Sequence, residues 1–164
     1  MSEPTPMSLI QHGDKSLWGD GPWVGEPDRV EFEVAGFPTL VRRGIGGAWC
    51  GYVGVPPAHP WFGKDYDEIG ADVHGGLTYA RECDEHPEDG VCHLTEDEDT
   101  IWWLGFDCGH CGDVLPAMDY RLRQALGEDR PSLADLSPWP VTYKDLAYVV
   151  GEITSLALQA QAAT

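Results

Sequence analysis

Apolar and acidic residues alternate along Val30-Glu31-Phe32-Glu33-Val34, a period of two that predicts a half-buried strand. Gly36-Phe37-Pro38 predicts a turn, and Thr39 to Arg43 reads as the returning arm of a hairpin. Ala48 to Val55 predicts a third strand whose glycines mark a bulge or a close backbone approach. A proline-containing loop from Pro56 to Gly70 separates it from Val73 to Tyr79, expected as a bulged strand. Thr100 to Asp107 is the most apolar run and is expected as the central strand. Asp119 to Leu126 predicts a short helix, followed by a connection through Pro131, Pro138 and Pro140. After Pro140 the period changes. Leu146, Val149, Val150, Ile153, Leu156 and Ala160 recur at helical spacing behind Thr142-x-x-Asp145, a variant capping box. The expected architecture is α+β: an antiparallel sheet packed on one face by a long C-terminal amphipathic helix.

The length of 164 residues fits one domain over 1–164. Residues 1–28, rich in Gly and Pro with isolated Trp18 and Trp23, are expected as an irregular arm laid over the core. Seven Trp, six Tyr and four Phe supply enough apolar surface to exclude a disordered chain. The net charge of -18 excludes a surface-wide grip on nucleic acid or anionic lipid, because phosphates need Lys and Arg. Nine of the acids fall within residues 82–99 without one basic residue, which predicts a solvated hairpin or flap. No apolar run approaches the roughly 20 residues of a membrane span, and Met1 to Gln11 lacks the pattern of a secretory signal, so a cytoplasmic location is expected.

Five cysteines without a signal argue against a disulfide framework. Cys108-x-x-Cys111 has the spacing of half a zinc knuckle. Cys83, His86, Cys92 or His93 would supply the other half, giving Cys83, Cys92, Cys108 and Cys111 as the expected zinc set. Buried free thiols are the competing reading. The same turn carries candidate acid–base chemistry. Asp107, His110 and Asp113 follow a strand and His74 lies in a glycine-rich segment, so a metal- or Cys-dependent hydrolase would use His74, Cys108, His110 and Asp113. Strand-end Asp and His also cap turns, which is the structural alternative.

Two binding readings stand beside these. Arg42 and Arg43 precede a glycine-rich turn whose backbone N–H groups would cradle phosphate. With His74, Tyr79, Trp103 and Asp107 they form a candidate pocket for a small nucleotide-like ligand. Trp102 and Trp103 are adjacent, so only one of them faces any single pocket. The acidic stretch instead suits a protein that occupies a basic surface of a host defence or nucleic-acid-binding protein.

Trp49-Cys50-Gly51-Tyr52-Val53-Gly54, His74-Gly75-Gly76-Leu77-Thr78-Tyr79 and Trp102 to Asp107 with Cys108 and His110 resemble motifs of one family. Its members are small proteins encoded mainly by phages and prophages. The Tyr143-Lys144 helix start fits it too, and the resemblance spans about Trp49 to Leu156. It implies a phage accessory protein in a bacterial cytoplasm, with counter-defence as the expected setting, and it carries no mechanism. Capture of a nucleotide-like ligand without turnover is the leading expectation, ahead of the acidic inhibitor and the hydrolase.

Overall fold

The computed structural model describes residues 14–83, 90–92 and 100–164. Among the described residues five strands form one sheet: β1 (Arg29–Val34), β2 (Phe37–Arg43), β3 (Trp49–Val55), β4 (Tyr79–Glu82) and β5 (Trp102–Asp107). Their order is β1-β2-β3-β5-β4 and every neighbouring pair is antiparallel. The middle position belongs to β3, so Trp102–Asp107 is one strand removed from the centre expected for it. Helices α1 (Pro116–Leu126), α2 (Leu133–Leu136) and α3 (Leu146–Ala162) follow the sheet.

The hairpin turns at Ala35 and Gly36, both left-handed at φ 53° and 84°, with Val34 paired to Phe37. Two such residues match the right-handed twist of the flanking strands. The strand expected over Val73–Tyr79 begins only at Tyr79 and runs on to Glu82, because the chain turns through Gly75 and Gly76 at φ 69° and 78°. Residues 73–78 are therefore a loop that carries His74 away from the sheet. Helix α1 starts three residues earlier than expected, with Pro116 in its first turn, where a missing N–H costs nothing.

Side-chain alternation gives the sheet two occupied faces. On one, Phe37, Val41, Trp49, Val53, Val55 and Phe106 pack with Val149, Ile153, Leu156, Ala157 and Ala160 of α3. Those helix positions recur at i, i+4, i+7, i+8 and i+11 and are fully buried. Burying Val149, Ile153 and Leu156 stabilises by about 1.5–3 kcal/mol each relative to exposure. The close approach depends on Gly51, where a Cβ would lie 2.7 Å from the Phe106 ring and 2.9 Å from Ile153. On the other face, Leu40, Tyr52 and Trp103 pack with Val91 and Ile101.

Asp145, not Thr142, caps α3: its carboxylate accepts from the Tyr148 N–H, and Thr142 instead forms a bridge with Asp113. Among the described residues no helix is long and apolar enough to cross a membrane. Ahead of β1 the residues from Asp14 onward make two 3-10 turns, Lys15–Trp18 and Pro22–Val24, and bury Trp18 and Asp28.

Candidate functional site

Arg42 and Arg43 are neighbours in β2, so their side chains leave opposite faces of the sheet. Arg43 is buried and built into the fold. Its Nε donates to Asp28 at 2.8 Å, Nη1 to the Gly47 carbonyl at 2.9 Å and the Tyr143 hydroxyl at 2.8 Å, and Nη2 to Glu26 at 3.2 Å. The guanidinium also stacks over Trp49, 4.3 Å from the ring centre. Glu26 in turn accepts the Leu146 N–H at 2.6 Å, placing a carboxylate on the positive end of α3. Arg43 thus staples arm, sheet and helix.

On the face away from α3, pairing aligns Arg42 with Cys50 and Cys50 with Asp107, one step from Tyr79 opposite Gly105. Arg42 lies over the Tyr52 ring at 5.7 Å. Trp103 is 1% exposed. The six residues expected to share a ligand pocket therefore divide: Arg42, Tyr79, Trp103 and Asp107 on this face, Arg43 beneath the other, and His74 in the 73–78 loop.

The expected zinc set divides for the same reason. Cys83 and Cys92 are joined as a disulfide, contrary to the expectation of free thiols or metal ligands, and Cys83 packs on the face away from α3. Buried Arg29 donates to the Gly90 and Cys92 carbonyls at 2.8 and 2.9 Å. Cys108 is buried in the α3-side core, while Cys111 is exposed. The two halves of the set thus stand on opposite sides of the sheet, and no group of three or more His, Cys, Asp or Glu among the described residues is arranged to hold a metal ion. His86, His93 and the acids of 84–89 and 93–99 lie outside the described residues, as does most of the expected inhibitor surface.

Three of the four acid–base candidates, His74, His110 and Asp113, do come together, from two chain segments. After β5 the chain turns so that Asp113 N donates to the His110 carbonyl at 3.0 Å. Val114 N then donates to Thr142 O at 3.0 Å and Thr142 N to Gly112 O at 2.9 Å, laying this turn beside the entrance to α3. The 73–78 loop closes over both.

Here the Asp113 carboxylate, 1% exposed, accepts the His74 Nε2–H at 2.7 Å and the His110 backbone N–H at 3.0 Å. The Lys144 ammonium sits 2.9 Å from its other oxygen. The Tyr148 hydroxyl, one turn into α3, is hydrogen-bonded to His74 Nδ1 at 2.7 Å. His110 lies beside them, its ring centre 6.1 Å from that of His74 and its Nε2 3.3 Å from Asp107. Gly75 permits this packing: a Cβ there would fall 2.3 Å from His110 Nε2.

Burial works to raise the Asp113 pKa, but the His74, Lys144 and His110 hydrogen bonds outweigh it and hold the carboxyl below its ordinary value. An ionised Asp113 accepts, so the proton of that bond sits on His74 Nε2. Burial and then Glu152 push the Tyr148 phenol up to about 12, so at neutral pH it remains a donor. Burial, reinforced by Asp113, also drives the Cys108 thiol well above its ordinary range. A buried thiol held protonated is no nucleophile, so the role expected of Cys108 in a Cys-dependent hydrolase has no thiolate behind it.

Lys144, Tyr148 and Glu152 were not among the site residues expected from sequence. Tyr148 is the third residue after the Asp145 cap, off the apolar stripe of α3, and that spacing is the signal that a polar residue there returns to the sheet end. The chain matches no protein-family model, no curated protein and no solved structure.

Proposed function

We propose that this protein is a small acid–base enzyme that cleaves an ester or phosphoester, with His74 as general base held by Asp113. The observation that carries this reading is the hydrogen-bonded series Asp113–His74–Tyr148, in which one nitrogen of the imidazole is fixed by a buried carboxylate. A base so oriented needs no rotamer search and keeps its acceptor nitrogen in one direction. Tyr148 acts as the gate. When its hydroxyl turns wholly to Glu152, Nδ1 of His74 is open to the proton of a water or substrate hydroxyl. His74 retains 16% exposure of its side chain and His110 35%, so both are reachable, whereas Asp113 at 1% is not. Asp113 and Lys144 are therefore positioning residues. The resemblance to phage proteins supplies a setting, action on a host nucleotide signal in the bacterial cytoplasm, that forms part of the proposal.

The test is hydrolysis of 4-nitrophenyl acetate and of uridine 3′-(4-nitrophenyl phosphate). His74→Gln should lose about 10²–10⁴-fold in rate while staying folded, and Cys108→Ala should keep it. Equal rates for wild type and His74→Gln, or turnover of neither substrate, would refute the reading.

A second reading, capture without turnover, is favoured by the alignment of Arg42, Asp107 and Tyr79 on one sheet face. It requires a nucleotide recovered intact after equilibrium dialysis, with affinity lowered by Arg42→Ala and not by His74→Gln.

A further inference from the structure

We infer that the Cys83–Cys92 disulfide is a redox-operated clasp on the sheet face away from α3, and that a dithiol reductant releases it. The inference is independent of the reading of His74.

The clasp is built from Cys83, directly after β4, and from Gly90 to Cys92. Val91 is buried and packs with Leu40, Tyr52, Ile101 and Trp103, the apolar cluster of that face. One guanidinium fixes the backbone on either side of it. Arg29, itself buried, donates Nη1 to the Gly90 carbonyl at 2.8 Å and Nη2 to the Cys92 carbonyl at 2.9 Å. The disulfide ties the same short segment to the end of β4. Val91 is thus held on the sheet by the covalent bond, by Arg29 and by its own burial.

Three features make the clasp releasable. Cys83 and Cys92 are both only partly buried, and a disulfide within reach of an incoming thiolate is the labile kind. Arg29 is not stranded when the segment leaves. Its Nε and Nη2 also donate to Glu31 on its own strand, at 3.2 and 3.1 Å, so the guanidinium keeps a carboxylate partner. The cost of an uncompensated buried charge therefore does not lock the segment down. The two faces also have separate cores. Cys83 packs with the Val91 cluster, whereas Trp49, Phe106, Ile153 and Leu156 form the core beneath α3. The bond closes a loop with a sequence separation of 9. Removing that restraint favours opening by about 100-fold.

In the step, a thiolate of the reductant attacks one sulfur of the pair. The S–S bond breaks, and the other sulfur leaves as a thiolate and takes a proton. The second thiol of the reductant then displaces the bound cysteine, whose sulfur takes the second proton. Two electrons and two protons pass to Cys83 and Cys92, and the reductant leaves as its own disulfide. With the bond cut, Val91 lifts from the cluster and Leu40 and Trp103 meet water. Arg42, Tyr79 and Asp107 share this face, so its redox state sets their surroundings too.

The experiment is fluorine NMR of the whole chain labelled with 5-fluorotryptophan. Trp103 and Trp49 are both buried, on opposite faces of the sheet, and Trp103→Phe and Trp49→Phe assign their resonances. Dithiothreitol should move the Trp103 resonance and give it a shift between H2O and D2O, while Trp49 stays unchanged. Oxidised glutathione should restore the starting spectrum. Cys83→Ser/Cys92→Ser should show the open spectrum without reductant and no response to it. A Trp103 resonance that stays put once mass spectrometry shows both thiols reduced would overturn the inference, because Arg29 and Val91 would then hold the segment alone. Exposure of Trp49 and Trp103 together would overturn it as well, because the bond would then be a staple of the entire fold.

Discussion

Replacing Arg43 by alanine should destabilise the fold by about 3 kcal/mol, because its guanidinium is the shared partner of two carboxylates and three further acceptors, the Gly47 and Pro27 carbonyls and the Tyr143 hydroxyl. Asp28 is 1% exposed on its side chain and Glu26 13%, so neither is well placed to recover full hydration when the cation leaves. Breaking a buried pair from one side typically costs about 3–5 kcal/mol. Lys15 lies 2.8 Å from Asp28 and still neutralises it after the substitution, which places the expected loss at the lower end. Stacking on Trp49 and the bond to Tyr143 are lost as well, loosening the N-terminal arm from the α3 start. Urea unfolding at pH 7 measures the effect. With a slope of about 2 kcal/mol/M the midpoint should fall by roughly 1.5 M. A loss below about 1 kcal/mol would show that Arg43 is not a structural staple, and would return it to the set of residues available to a ligand.

Three further outcomes follow from the same geometry. Asp113 has a lowered pKa when folded, so it contributes stability above the ordinary carboxylate range, and that contribution is lost as pH falls through its folded value. Thermal melts from pH 6 to pH 2 should show this decline, and Asp113→Asn should flatten it. Gly75→Ala combines a φ of 69° with a Cβ driven into His110; it should shift the His110 ring resonances in NMR and cut turnover more than it lowers the melting temperature. Replacing both Cys83 and Cys92 by serine opens a loop with a sequence separation of 9. The loss should be about 2–3 kcal/mol, and wild type in reductant should match the double variant in a denaturant titration.

Much of the framework was legible because secondary structure is written in local periods. The alternation at Val30–Val34 and the apolar stripe from Val149 to Ala160 each require only neighbours in sequence to be read. Even there, short-range signals competed. Thr142 and Asp145 both fit a cap, and the choice fell to Asp145 because Thr142 is drawn into a bridge with Asp113. Val73–Tyr79 carries strand-like residues, yet two left-handed glycines turn it into the loop that delivers His74.

What the sequence determined by itself was the α+β class, the hairpin, the helix and a short roster of chemically competent residues. Tertiary structure alone decided which of these meet. Arg42 and Arg43 differ by one position and so by one face of the sheet, which sends one to Tyr52 and the other into the core network. His74 and Asp113 are 39 residues apart and touch, whereas Cys83 and Cys108 are separated by the sheet itself. The reason is physical: apolar pattern acts over one or two turns of chain, but the meeting of polar side chains depends on how loops close and which sheet face each strand presents.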